Sequence, residues 1–171
     1  GYASMQDNTT GASNTAVGKN ALTNNTTASA NTAVGIQALG STVTGGNNTA
    51  VGWMACGSTT SSGNAGVGFN VLADNTSGSN NTAMGLNALA DNTTADNNVG
   101  IGAEALRLNT TGTNNVAVGA SALDANTTAG NNTAIGRSAL GTTSTGADNT
   151  AVGTTSMLFN TTGAQNTALG M

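Results

Sequence analysis

The chain has no histidine and no proline, a single cysteine (Cys56), and four aromatic residues: Tyr2, Trp53, Phe69 and Phe159. Among its 171 residues only three are basic and seven acidic. Each shortage excludes something. Without histidine, and with one lysine (Lys19) beside the one cysteine, there is no nucleophile–base pair of the usual kind, so no enzyme and no cofactor are expected. Lys19, Arg107 and Arg137 cannot supply the electrostatic footprint that a phosphate backbone demands, and the net charge is −4, so nucleic acid is excluded as a partner. No apolar run approaches the roughly 20 residues that span a bilayer. One cysteine cannot build an intrachain disulfide framework.

Large apolar side chains are scarce too. Alanine inflates the hydrophobic fraction of 37% and buries little surface. Low hydrophobicity accompanies disorder when net charge or proline content is high. Neither holds here, and the apolar residues are strictly periodic.

The period comes from one repeat. Asn-Thr-Ala-Val-Gly and its variants start at Asn14, Asn31, Asn48, Asn64, Asn81, Asn98, Asn115, Asn132, Asn149 and Asn166, at intervals of 17 residues except for one of 16. The missing residue falls in Ser58 to Gly63. Numbered from the first Asn, position 4 is large and apolar: Val17, Val34, Val51, Val67, Met84, Ile101, Val118, Ile135, Val152 and Leu169. Position 5 is always Gly. Position 9 is Leu22, Leu39, Leu72, Leu89, Leu106, Leu123 and Leu140, with Cys56 and Met157 as exceptions. Positions 12 to 15 read Asn-Thr-Thr-Gly or Ala, as in Asn109 to Gly112. The array is unbroken from residue 1 to 171 and starts and stops in mid-repeat, so it is expected to be one window of a longer fibre.

Seventeen residues are too few for a helix pair and suit one coil of a solenoid. Positions 2 to 4 alternate as a strand does, with 2 and 4 on one face and 3 on the other. Gly at position 5 bends the chain, Ala-Leu at positions 8 and 9 is predicted to form a second short strand, and Asn-Thr-Thr-Gly closes the coil as a polar turn. The expected fold is an all-β parallel β-solenoid, or β-roll, of about ten coils. Equivalent residues then stack every ~4.8 Å, giving a rod roughly 50 Å long. Position 4 and position 9 residues form the predicted structural core. Asn at positions 1 and 12 is expected to form amide ladders along the axis. Two large apolar residues per coil make a thin core, so association of chains into a homotrimer is expected, with a monomeric solenoid as the alternative.

The unit Asn-Thr-Ala-Val-Gly-x-x-Ala-Leu-x-x-Asn-Thr-Thr-Gly resembles the repeats of phage and bacterial tail-fibre-domain proteins. It is also similar to the head repeats of trimeric autotransporter adhesins, whose shorter units carry a Ser-Val-Ala-Ile-Gly core. The resemblance covers the whole chain. It implies a parallel β-roll, trimeric in the adhesins, serving as a stiff spacer or adhesive fibre.

Other features have plainer readings. Cys56 stands where Leu is the rule and is read as a small buried hydrophobe. Asp74 and Asp91 share position 11 of adjacent units and would stack, but two carboxylates are a poor calcium ligand set. Gly66-Val67-Gly68 lacks the Lys and helix of a phosphate loop. Trp53 and Phe69 occupy position 6, which also holds Lys19, Ile36, Leu86 and Arg137 and so should face outward; they are the candidate surface contacts. The sequons at Asn8, Asn25, Asn75, Asn92, Asn109, Asn126 and Asn160 are read as by-products of the turn. The expected role is a structural fibre segment, extracellular or on a virion surface. Its partners would be copies of itself, in a homotrimer or end to end, with a cell-surface glycan as a candidate. A glycan-binding adhesin module is the alternative, followed by an ice-binding solenoid.

Overall fold

The structure, a computed structural model, describes all residues from Gly1 to Met171. It is all-β. Ten three-residue strands, β1 (Thr15–Val17), β2 (Thr32–Val34), β3 (Thr49–Val51), β4 (Ala65–Val67), β5 (Thr82–Met84), β6 (Val99–Ile101), β7 (Val116–Val118), β8 (Thr133–Ile135), β9 (Thr150–Val152) and β10 (Thr167–Leu169), form one parallel sheet in sequence order. Each strand pairs with the next in the register of the repeat, Thr15 with Thr32 and Val17 with Val34. The chain therefore winds as a β-solenoid, one repeat per coil.

The short coil between Asn48 and Gly63 does not disturb the sheet. β3 and β4 still pair Thr49 with Ala65 and Val51 with Val67. The deficit is absorbed opposite the strand, where the Ser61 hydroxyl donates to the Gly78 carbonyl of the next coil. Hydrogen bonding between coils is not confined to the sheet. Of 109 backbone hydrogen bonds only 18 lie within strands, so the coils are joined around most of their perimeter.

Two expectations are corrected. The first concerns the core. Position 9 lies inside: Leu22, Leu39, Leu72, Leu89, Leu106, Leu123 and Leu140 are all fully buried. Position 4 does not. Val17, Val67, Met84, Ile101, Ile135 and Leu169 are exposed, and Val34, Val51, Val118 and Val152 are half-buried. The strand has only one inward residue, position 3, and that is Ala or Gly. A coil of 17 residues encloses so little space that Leu from the far wall fills it, leaving room for no more than a methyl group opposite. Positions 2 and 4 are then turned outward together by the alternation of the strand.

The second concerns Ala-Leu, which forms a turn and not a second strand. Position 9 adopts a left-handed backbone in every complete coil, with φ of 49° at Leu22 and 53° at Leu106. Positions 7 and 17 do the same, as at Asn87 and Asn97. This explains the residue types. A β-branched side chain is a steric outlier at positive φ, and position 9 takes Leu, Met or Cys but never Val or Ile. Position 17 is Asn in five coils, the residue that tolerates this region best after Gly. Gly at position 5 is required twice over. At Gly102 φ is 131°, and a Cβ there would stand 2.6 Å from the backbone carbonyl of Gly119.

Asparagine does the structural work that large apolar residues do elsewhere. At position 1 the amide oxygen of each Asn accepts the backbone N–H of the next: Asn14 from Asn31 at 2.9 Å, Asn48 from Asn64 at 2.8 Å, Asn98 from Asn115 at 2.9 Å. At position 12 the side-chain amides bond to one another, Asn92 Nδ2 to Asn75 Oδ1 at 2.9 Å and Asn126 Nδ2 to Asn109 Oδ1 at 2.7 Å. The two columns meet at the position-15 carbonyl. Ala95 O accepts from Asn81 Nδ2 at 2.8 Å and from Asn92 Nδ2 at 3.1 Å. These buried polar groups satisfy one another, which removes most of the cost of desolvating them.

Candidate functional site

One long face of the solenoid is the outer side of the sheet, formed by positions 2 and 4. Position 2 is Thr in seven coils and Ala65, Val99 or Val116 in the others. None of these Thr hydroxyls donates within the chain. Those at position 13 behave differently: Thr76 Oγ1 donates to the Thr93 carbonyl at 2.9 Å and Thr93 Oγ1 to the Thr110 carbonyl at 3.0 Å, clipping the turns together. The outer face thus carries free hydroxyls beside a column of Val, Ile and Met. No charged residue occupies either column.

Position 6 borders this face. Here Ile36, Trp53, Phe69 and Leu86 follow one another on consecutive coils, all of them 41 to 50% exposed. The rings of Trp53 and Phe69 stack with centroids 4.7 Å apart and planes inclined by 17°. Stacking consumes one face of each ring, so the pair offers an apolar ridge in place of two separate platforms. Val67 and Met84, two residues before Phe69 and Leu86, are exposed as well and extend the apolar patch.

The charged residues lie elsewhere and form no site. Arg107 and Asp124 pair along position 10 of adjacent coils, Nε to Oδ1 at 3.0 Å, at a partly exposed position where such a bond contributes little. Partial burial, then the charge of Asp74, raise the pKa of Asp91 above the ordinary carboxylate range, while Arg107 opposes the shift. No three metal-ligating side chains gather anywhere. Cys56 is fully buried, and desolvation pushes its thiol up to about 12. It fills the position-9 column beside Gly66 and Val71, departures from the usual Ala at positions 3 and 8 that exchange volume with it. The position-12 sequon residues Asn25, Asn75, Asn92, Asn109 and Asn126 are fully buried with their amides engaged, so the folded chain offers no glycan acceptor there. No helix is long and apolar enough to cross a membrane.

Sequence reasoning placed position 6 outward, and the structure agrees. It did not anticipate the free Thr column or the outward position 4. The signal for both was in the alternation itself: Ala at position 3 needs an inward place, and that choice fixes its neighbours. No protein-family model, curated protein or solved structure matches this chain.

Proposed function

We propose that the chain is a segment of a stiff fibre, displayed outside a cell or on a virion, that separates a functional tip from its anchor and associates with copies of itself into a homotrimer. The observation that carries this reading is the in-register bonding of every coil to the next around its perimeter, with asparagine columns running through the interior. Bending such a rod must stretch several hydrogen bonds per coil at once, so stiffness does not depend on a large apolar core. The uncharged Thr and Val face, with its Trp53 and Phe69 ridge, supplies the surface for association. Aromatic residues on an uncharged, aliphatic face are the type that anchors interfaces.

The test is the mass of the purified chain in solution by light scattering, followed by electron microscopy of the particles. Three chains side by side support the trimeric fibre. A monomeric rod at all concentrations refutes the association.

The free Thr hydroxyls favour a second reading, in which the same face binds ice. A regular array of hydroxyls and methyls on a rigid flat sheet can order water, but Ala65, Val99 and Val116 interrupt the column and Trp53 and Phe69 stand beside it. Thermal hysteresis in a monomeric preparation, abolished by Thr133→Lys, would favour this reading over the fibre.

A further inference from the structure

We propose that the coils starting at Asn14, Asn31 and Asn48 carry a binding groove for a single neutral sugar ring, a hexopyranose of a surface glycan. The groove has a volume of about 260 Å³ and is built from three positions on three successive coils. Position 10 forms its floor, with Thr23, Gly40 and Gly57. Position 7 supplies Asn20, Gln37 and Met54 on one side, and position 11 supplies Asn24, Ser41 and Ser58 on the other. The groove exists because two consecutive coils have Gly at position 10. Elsewhere that position holds Gln6, Ala73, Ala90, Arg107, Asp124 and Leu158, and the remaining glycine, Gly141, lies between Asp124 and Leu158.

The lining chemistry selects the ligand. No charged residue lines the groove, although Asp7 and Asp74 follow its position-11 side on the coils at either end, and Asp91, Glu104, Arg107 and Asp124 lie further along the rod. An anionic ligand would find no counter-charge and would meet two carboxylates at the ends. The side-chain amides of Asn20, Asn24 and Gln37 and the hydroxyls of Ser41 and Ser58 make no hydrogen bonds within the chain, whereas Thr23 donates to the Ala3 carbonyl at 3.1 Å. A wholly apolar ligand would strip water from these groups and leave them unpaired. A neutral sugar fits both constraints. Each amide offers a donor and an acceptor side by side, which matches a hydroxyl that must do both. Met54, the one apolar lining residue, provides a polarisable surface for a ring C–H face. The volume lies just below the roughly 300–1,000 Å³ of drug-sized sites, which suits one ring and not a longer saccharide. Positions 7, 10 and 11 lie off the strand, so the groove is separate from the face assigned to self-association, and its occupancy does not rest on the fibre reading.

The experiment is a titration of the full chain, followed by the side-chain amide signals of Asn20, Asn24 and Gln37 in nitrogen-edited NMR. The probes are the methyl glycosides of glucose, galactose, mannose and N-acetylglucosamine, with methyl glucuronide as a charged comparison. At least one neutral glycoside is expected to shift these signals saturably, with a Kd on the order of 1 mM, and the glucuronide to bind at least tenfold more weakly. In the double variant Gly40→Leu, Gly57→Leu the groove is filled and the shifts should vanish. That variant is expected to fold, because position 10 already carries Leu158, neither glycine has a positive φ, and the nearest atoms to an added Cβ are carbonyls at 3.2 Å and 3.4 Å. Gln37→Ala combined with Asn24→Ala, which leaves the groove open, should weaken binding about tenfold. The proposal is overturned if none of the four neutral glycosides moves these signals, if the filled variant binds as the parent does, or if the glucuronide binds as tightly as the best neutral probe.

Discussion

Asn126 Oδ1 is buried without a hydrogen-bond partner, and so is Asn25 Oδ1. The cause is the same in both places. Along position 12 each amide oxygen accepts from the Nδ2 of the next coil, but Thr143 follows Asn126 and Thr42 follows Asn25, and threonine has no amide to give. Thr143 instead turns its hydroxyl onward to the Asn160 carbonyl, 2.6 Å away. Replacing it, Thr143→Asn, restores the column. The new Nδ2 would reach Asn126 Oδ1 with the spacing of the other steps, 2.7 to 3.2 Å, and the Gly146 carbonyl in the manner of its counterparts. The new Oδ1 would accept from Asn160. Relieving a buried orphan acceptor is worth about 1–3 kcal/mol, and the lost threonine bond costs about 0.5–1.5 kcal/mol, which the new bond to Gly146 offsets. A net gain of about 1–2 kcal/mol is expected, with a rise in Tm of about 2–4 °C for each kcal/mol in a chain of this size. Calorimetry measures it. The control is the same substitution in an Asn126→Ala background, where the orphan is gone and the gain should largely disappear. An unchanged or lower Tm in the parent, or an equal gain in both backgrounds, would refute the ladder as the source of stability.

Three further outcomes separate the inside of the coil from its outside. Leu106→Ala removes a fully buried side chain and should cost about 2–5 kcal/mol by chemical denaturation, whereas Ile101→Thr, 36% exposed, should change the stability of the single chain by no more than about 0.5 kcal/mol and show itself in light scattering as weaker self-association. Gly66→Ala would place a Cβ 2.7 Å from Cys56 Sγ and 3.1 Å from Val71 Cγ1, at a cost of about 1–3 kcal/mol; adding Val71→Ala restores the usual pair of alanines and should recover most of it in a double-mutant cycle. Cys56 should resist alkylation in the folded chain at neutral pH. Its thiol titrates near 9.0 when unfolded and about 12 when folded, so between those values the unfolded state releases a proton that the folded state keeps. Stability at this site is therefore unaffected below pH 9 and falls by up to ~1.4 kcal/mol per pH unit above it, a slope that Cys56→Ser should abolish.

Much of the architecture was legible because the repeat is its own register. Once Asn14 and Asn31 are seen as equivalent, stacking of coils follows, and so do the amide ladders, since a column of Asn inside a narrow coil has only its neighbours to bond. The misplaced elements share one cause. Hydrophobicity alone assigns Val at position 4 to the core, yet in a strand of three residues the small residue at position 3 decides which side faces in. Leu at position 9 lies inside, as its apolar character requires, but in a turn, because a sequence of apolar residues does not announce a left-handed backbone. The clue was the exclusion of Val and Ile from that column in a chain that uses both freely at position 4. The groove at Gly40 and Gly57 was invisible for a different reason. It depends on two coils lacking a side chain at the same position, and a motif search looks for what recurs.

That contrast bears on where function lies in a chain of this kind. Invariant columns (Asn at 1, Gly at 5) and the mostly Leu column at 9 are fixed by the coil and can hold no information about a partner. The variable positions 6, 7, 10 and 11 are where successive coils differ, and only there can three neighbours combine into something the rest of the rod lacks. Trp53 on Phe69 is one such combination, and the polar groove under Gln37 is another. The two share the coil that begins at Asn48, the first reaching onward to the coil at Asn64 and the second back to those at Asn31 and Asn14. The contacts we propose, the ridge with a copy of the chain and the groove with a ligand rich in hydroxyls, would both use these variable positions and leave undisturbed the columns that hold the coils together.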